Sequence, residues 1–309
     1  MTLPRPEEDE KPLAPGLYLV ATPLGNLGDI TLRALDVLKR ADRIACEDTR
    51  QTQKLLNHFG IATPTVSFHQ HNERERAVGL VDELRSGGRI AVASDAGMPG
   101  ISDPGGWLVM AAIDAGVNVI PIPGANAALS ALVASGLPVG EFHFIGFLPE
   151  KAGARRTRLE ELLAEVESAH SARTLIFYEA PHRILETLSD LEAVWSADLK
   201  VVVARELTKL HEEFLRGTVS KVRRELANRV RVRGEITLLV DARPRAESKA
   251  AEAGTAPLKV ADRVAQIQAQ AGVDEKEALK RLAREMGQSK SEVYRELQRE
   301  RAKRHPGAR

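Results

Sequence analysis

The stretch that most constrains this chain is residues 93–105, Ala-Ser-Asp-Ala-Gly-Met-Pro-Gly-Ile-Ser-Asp-Pro-Gly. The run before it, Arg89-Ile-Ala-Val-Ala-Ser94, is short, apolar and bounded by Gly87-Gly88, which predicts a buried parallel strand. A helical pattern follows over about 104–115, so the stretch is a strand-to-helix loop. In an open α/β sheet, ligands bind beside such loops, at the carboxyl ends of the strands. Glycines and prolines set its backbone, and Asp95 and Asp103 are its only charges. Backbone that lets a ligand approach closely, with a few polar groups, suits a small-molecule cofactor. The loop is not G-x-G-x-x-G and has no phosphate-binding Lys, which disfavours a dinucleotide or a nucleoside triphosphate.

The rest of the first half alternates strand and helix signals. Strands are predicted at 16–21, 43–46 and 117–120. Asp29 or Thr31 caps a helix whose apolar face carries Leu32, Leu35 and Leu38. A helix opens at Glu47-Asp-Thr-Arg50 and stops at Gly60; another carries Ala77, Leu80, Val81 and Leu84. A small-residue helix runs from Asn126 to about Ser135. This alternation predicts a doubly wound parallel lobe over 15–137. Gly136-Leu-Pro-Val-Gly140 is the expected hinge to a second lobe over 138–242. There, strands near 142–147, 173–178, 199–204, 213–219 and 235–241 and helices near 151–168, 181–193 and 220–228 suggest an α+β lobe with a mixed or antiparallel sheet.

The ends of the chain differ in composition. Residues 1–14, with Glu7-Glu8-Asp9-Glu10, are expected to be a disordered tail. Residues 243–257 are an Ala/Glu/Pro linker, and 258–309 carry 13 Lys and Arg against 8 Asp and Glu. Val260, Val264 and Ile267, with capping-box pairs Asp274/Glu277 and Ser289/Glu292, predict a basic three-helix module. The single cysteine, Cys46, excludes a disulfide framework and a multi-cysteine metal site, and points to a reducing cytoplasm. No apolar run reaches the length of a membrane span or an export signal, and a net charge of +1 leaves nucleic-acid binding to local patches.

Several polar clusters end strands or open helices. Asp48 is a candidate base and Arg50 a candidate phosphate or carboxylate clamp; the alternative is a helix cap beside a surface Arg. His182 is a second candidate base and Arg183 a phosphate ligand, unless both belong to a helix-start network. Lys209 is placed to stabilise an alkoxide, with Arg205 and Glu206 as a structural pair. His69 and His71 on one strand face would suit a metal, but no third ligand cluster accompanies them, and contact with RNA or a partner subunit is preferred for His69 and Asn72. Arg155 and Arg156 are candidate phosphate contacts, as are Arg295 and Arg299 in the last helix, against solvated helix faces as the alternative.

The central loop occurs together with Thr22-Pro-Leu-Gly-Asn-Leu-Gly-Asp-Ile-Thr31, Cys46-Glu-Asp-Thr-Arg50, Pro123-Gly-Ala125, Gly146-Phe-Leu-Pro149, Glu179-Ala-Pro-His-Arg183 and Arg205-Glu-Leu-Thr-Lys209. In this order the motifs resemble the tetrapyrrole methylase superfamily and, within it, the bacterial 16S ribosomal RNA cytidine 2′-O-methyltransferases. The resemblance spans about 16–241, and the helical tail is similar to an extension of that group. Met98 and Asn126 depart from its pattern, where a small residue and Ser are commoner. The resemblance implies two α/β lobes with S-adenosylmethionine in the cleft between them, a homodimer, no metal, and 16S rRNA, expected in the assembled 30S subunit, as partner. It implies cofactor contacts from Leu24, Asp95, Gly97, Met98, Ser102, Asp103, Ala127, Ala128, Leu148, Ala180, Glu235 and Ile236. It implies methylation of a cytidine ribose in the decoding region. The alternatives are methylation of a tetrapyrrole precursor or a protein side chain, and a non-catalytic RNA-binding assembly factor.

Overall fold

The computed structural model describes residues 12–69 and 72–244 and, beyond them, 260, 263–264, 267–268, 272–285 and 290–304. Residues 1–11 of the expected tail over 1–14, the linker from 245, His71 and Ser289 lie outside the described residues; the end of that tail is ordered, with Leu13 packed against a buried cluster and the Ala14 carbonyl accepting from the Tyr18 hydroxyl. The chain divides into a compact unit up to Ala242 and a second from Arg243.

The first unit holds two five-stranded sheets. In the first, β1 (Gly16–Val20), β2 (Arg43–Cys46), β3 (Thr65–Ser67), β4 (Arg89–Ala93) and β5 (Val119–Ile122) run parallel in the order β3-β2-β4-β1-β5. Between them lie α1 (Leu32–Arg40), α2 (Thr49–His58), α3 (Glu73–Arg85) and α4 (Gly106–Asp114). Both faces are covered, so β4 is buried along most of its length, as its unbroken Ile-Ala-Val-Ala run requires. From β1 the chain crosses towards β2, whereas from β4 it crosses towards β5. The strand order therefore reverses between β1 and β4, where the loops after these strands leave a crevice.

Local chemistry explains the helix starts. Thr31 caps α1 by accepting from the Ala34 amide, and Asn26 caps a short 3-10 helix, Leu27–Asp29, so Asp29 is neither cap. Leu38 is buried in α1, but Leu32 in its first turn stays exposed. The Glu73 carboxylate on α3 accepts from the amides of Gly105 and Trp107, both at 3.0 Å, and so serves the start of α4.

The second sheet contains β6 (Phe142–Phe147), β7 (Arg173–Glu179), β8 (Lys200–Arg205), β9 (Glu213–Thr218) and β10 (Ile236–Ala242), ordered β6-β7-β10-β8-β9. Only β6 and β7 are parallel, so the sheet is mixed. The last strand, β10, is central and buried throughout. Helices α6 (Ala152–Ala169), α7 (Ile184–Val194) and α8 (Val219–Ala227) join a core containing Leu159, Leu188, Val222 and Leu238. Helix α5 (Ala127–Ser135) follows the first sheet in sequence but lays Ala131 and Leu132 against Ile176, Val202 and Leu239 of the second. It thereby links the two halves.

In the second unit, Val260, Val264 and Ile267 share a buried cluster with Leu279 and Leu282 of α9 (Glu275–Glu285) and Val293 and Leu297 of α10 (Lys290–Arg304). Asp274 accepts from the Glu277 amide at 2.8 Å, as the capping-box spacing predicts. Among the described residues no helix is long and apolar enough to cross a membrane.

Candidate active site

The loops after β1 and β4 are joined across the crevice. Thr22 and Gly97 exchange backbone hydrogen bonds of 2.9 and 3.0 Å, and the Ser94 hydroxyl donates to the Gly97 carbonyl. Gly97 has φ +84, and a Cβ there would stand 3.3 Å from Leu24 Cδ2. The residue must therefore be small as well as left-handed. Ser102, with φ +65, turns the same loop back.

These loops form one side of a cavity of about 380 Å³, within the usual range for small-molecule sites. Leu24, Gly97, Met98, Ser102 and Asp103 line that side, and Asn126 and Ala127 enter from the start of α5. Phe147, Tyr178, Ala180, Ala204 and the Glu235-Ile236-Thr237 edge come from the second sheet. The charged residues lining it are Asp103, Glu179 and Glu235; among the described residues no Lys, Arg or His lines it. Glu179 is engaged locally: it accepts from Thr187 and the Ala180 amide and pairs with Arg183 at 3.2 Å. Asp103 has its pKa raised to about 6, chiefly by burial and then by Glu47, against a hydrogen bond from Ser94. The cavity therefore suits a largely apolar ligand carrying positive charge.

A family profile described as tetrapyrrole (corrin/porphyrin) methylases matches residues 16–223. The chain belongs to the tetrapyrrole methylase family. Its sequence is 48% identical, over 90% of this chain and 93% of the relative, to ribosomal RNA small subunit methyltransferase I of Halalkalibacterium halodurans. It is 45% identical, over 90% and 92%, to the protein of the same name from Bacillus subtilis. Among solved structures it resembles the cobalt precorrin-4 methyltransferase CbiF (19% identity, 73% of this chain and 94% of that one, TM-score 0.52). A second is the methyltransferase CobJ (19%, 74% and 94%, TM-score 0.55). These two share the fold.

Within this tetrapyrrole methylase, three of the expected cofactor contacts lie off the cavity. Ala128 is buried against the second sheet. Leu148 is buried in the second core, its carbonyl accepting from Arg183 at 2.8 Å. Asp95 turns to an adjoining cavity, where its carboxylate accepts from the Asp48 amide at 3.2 Å. The Met98 and Asn126 departures are both accommodated. Met98 lines the cavity, and the Asn126 side chain caps α5 by accepting from Leu129. Tyr178, Phe147, Thr237 and Leu207 line the cavity without having been singled out in the sequence. They sit at or near strand ends, and residue type alone does not show which strand ends meet.

The candidate bases are dispersed. Asp48 is the α2 cap and pairs with Arg50 at 3.1 Å; the hydrogen bond from Arg50 lowers its pKa, making it a poorer base. Lys209 donates to Glu206 and Glu235 at 2.9 and 3.0 Å. Burial opposes its charge, but those hydrogen bonds outweigh burial and raise its pKa, so it is a cation and not a base. His182 is exposed beside Pro149 and Arg183 in a third cavity.

The expected RNA contacts divide similarly. Arg155 is 2% exposed and bonds Asp190 at 2.7 Å and Glu186 at 3.2 Å, so its guanidinium holds α6 to α7 and not a phosphate. Arg183 binds the Leu148 and Pro149 carbonyls and Glu179, which is the helix-start arrangement. Arg156 pairs with Asp190 but remains half exposed, and Arg50 is largely exposed. Asn72 accepts from the His69 amide and donates to the Ser67 carbonyl, shaping the turn from β3 into α3. Strand β3 ends at Ser67, so His69 is not on the strand that the metal reading of His69 and His71 required; His71 lies outside the described residues. Among the described residues no cluster of three or more His, Cys, Asp or Glu could hold a metal. Arg295 is exposed on α10; Arg299 lies on the same helix, its side chain outside the described set.

Proposed function

We propose that the chain transfers a methyl group from S-adenosylmethionine to the ribose 2′-oxygen of a cytidine in the decoding region of 16S rRNA. The observation that carries this reading is the identity of 45–48% over nine-tenths of the chain to two proteins named ribosomal RNA small subunit methyltransferase I. The cavity supports the donor: Asp103 offers a carboxylate to a sulfonium or ammonium, and Leu24, Met98, Ala127 and Ala204 offer apolar surface. In this reading the enzyme is a cytoplasmic homodimer acting on the 30S subunit. Residues 15–137 and 138–242 are its two lobes, and the basic helical module meets rRNA.

When bound, S-adenosylmethionine supplies an activated methyl group on a positively charged sulfur. The chain's own residues then need to hold the donor and acceptor in line, exclude water and remove one proton. The Thr22–Gly97 bridge fixes the loops that form one side of the cavity, and Ile236, Leu207 and Tyr178 would close the donor in from the other side. The test is transfer of labelled methyl to 30S subunits lacking the modification, followed by digestion. Label on a cytidine 2′-oxygen is the expected result. Binding of S-adenosylmethionine without label on subunits or free 16S rRNA would sink the reading and redirect the search to tetrapyrroles or proteins.

A further inference from the structure

Two cavities adjoin the cofactor cavity through different residues, and their chemistry differs. The larger, about 580 Å³, lies between the loop after β1, α2 and Lys209, and shares Leu24, Ala96 and Glu235 with the cofactor cavity. The other, about 450 Å³, shares Phe147 and Ala180 with it. Among the described residues no basic group lines the cofactor cavity, whereas the larger neighbour has Lys54, His58 and Lys209. The smaller contains Arg183 and His182, but that guanidinium is held by two carbonyls and Glu179, and Glu150 adds negative charge beside it.

Lys209 is set in place with unusual care. Glu206, at φ +52, accepts from Lys209 Nζ and from the Glu235 amide through the same oxygen, at 2.9 and 3.0 Å. The Lys209 stem crosses Gly25 so closely that a Cβ there would lie 2.7 Å from two of its carbons. Its other partner, Glu235, has a side chain 72% exposed. The ammonium is therefore anchored on one side by Glu206 and on the other by a carboxylate that solvent reaches. Asp95 lines the same cavity.

We propose that the larger cavity is the acceptor-nucleotide subsite, with Lys54 and Lys209 attracting the sugar-phosphate and Asp95 receiving the 2′-hydroxyl proton. This rests on the methyl-transfer reading and deepens it. A single-stranded or flipped-out nucleotide presents its ribose and phosphate to such a pocket, whereas a duplex cannot. As the oxygen–methyl bond forms, the sulfur–carbon bond breaks and its electron pair stays on sulfur. The hydroxyl proton passes to the Asp95 carboxylate and from there to water. Glu235 is paired with Lys209, which leaves Asp95 as the carboxylate of this cavity without a basic partner of its own. Burial and the facing Asp48 raise its pKa, against a hydrogen bond from the Asp48 amide; Glu47 and Asp103 are the other charges coupled to it. A raised pKa improves a carboxylate base.

The first test locates the subsite without turnover. The full chain, saturated with S-adenosylhomocysteine, is cross-linked to a single-stranded oligoribonucleotide carrying 4-thiouridine. Cross-links within 22–27, 51–58 or at Lys209 are expected. Cross-links at 147–150 or 182–183, or at neither place, overturn the proposal. Cross-links at the expected place in a chain that methylates no 30S RNA would defeat the ribosomal reading and leave the nucleotide subsite standing. The second test is kinetic, with S-adenosylmethionine affinity checked by calorimetry for each variant. Lys54→Glu raises KM for 30S subunits about tenfold and leaves kcat unchanged. Asp95→Asn lowers kcat by about 10²-fold or more at constant KM, and Asp95→Glu restores part of it with a shifted acid limb in the pH–rate profile. An unchanged kcat in Asp95→Asn, or loss of turnover in His182→Ala while Lys54→Glu is silent, refutes the assignment.

Discussion

Asp103 faces a cavity of carboxylates without a cation opposite it, and its pKa of about 6 records the cost of ionising there. The native value lies above that of an unfolded aspartate. Its contribution to stability is therefore present at low pH and lost as pH rises through about 6. Binding of a sulfonium or ammonium ligand runs the other way, because it needs the ionised carboxylate. S-adenosylmethionine affinity should fall below pH 6, towards about tenfold per pH unit, and Asp103→Asn should flatten that dependence in calorimetric titrations. The same variant should raise the melting temperature of the ligand-free chain at pH 8. A variant that melts lower at pH 8 would contradict this account of Asp103. The sequence marks Asp103 by its loop. It does not distinguish Asp103 from Asp95, which lies eight positions earlier in the same motif but faces a different cavity. Spacing places both on the loop; the direction of each side chain depends on turns such as the one at Ser102.

Among the elements, α5 has the widest consequences. At its start Asn126 and Ala127 line the site, while its buried face completes the core of the second sheet. Leu132→Ala should destabilise the chain by about 2–5 kcal/mol in urea unfolding, the range for deleting a buried leucine. Helices α6 and α7 are joined differently, through the buried Arg155–Asp190 pair. Asp190→Ala leaves Arg155 without its buried partner and should cost about 3–5 kcal/mol by the same measurement. A loss well under 1 kcal/mol would mean that Glu186 alone satisfies the guanidinium. Most strands and helices are legible because their apolar periods are clear, as in Ala77, Leu80, Val81 and Leu84 of α3, all buried. Strand β3 has only three half-buried residues and no such signal. The side of α5 that becomes buried is equally hidden, since its small residues are apolar almost all round.

At the scale of the molecule, the cavity of about 380 Å³ is lined by residues from both halves of the first unit, so a ligand there would contact parts of the chain far apart in sequence. Under the proposed function, S-adenosylmethionine at about 100 times its Kd should stabilise the chain by about 2.7 kcal/mol. Amide exchange should slow in both β4 and β10; slowing in one sheet alone would mean that the ligand is held by one half. The two-sheet architecture follows from the alternation of strands and helices over 15–137 and the run of strands over 199–241. The meeting of distant strand ends does not, because it is set by packing and not by local pattern. The cavity's described walls are mostly apolar, from Ala96, Ala127 and Ala204 to Met98, Phe147 and Ile236, and offer a competing molecule few polar groups to grip. An inhibitor confined to that space would bind chiefly by apolar contact, which discriminates weakly between similar shapes. Selectivity would have to come from a compound that reaches past Glu235 towards the Lys209 ammonium and the exposed rim of α2.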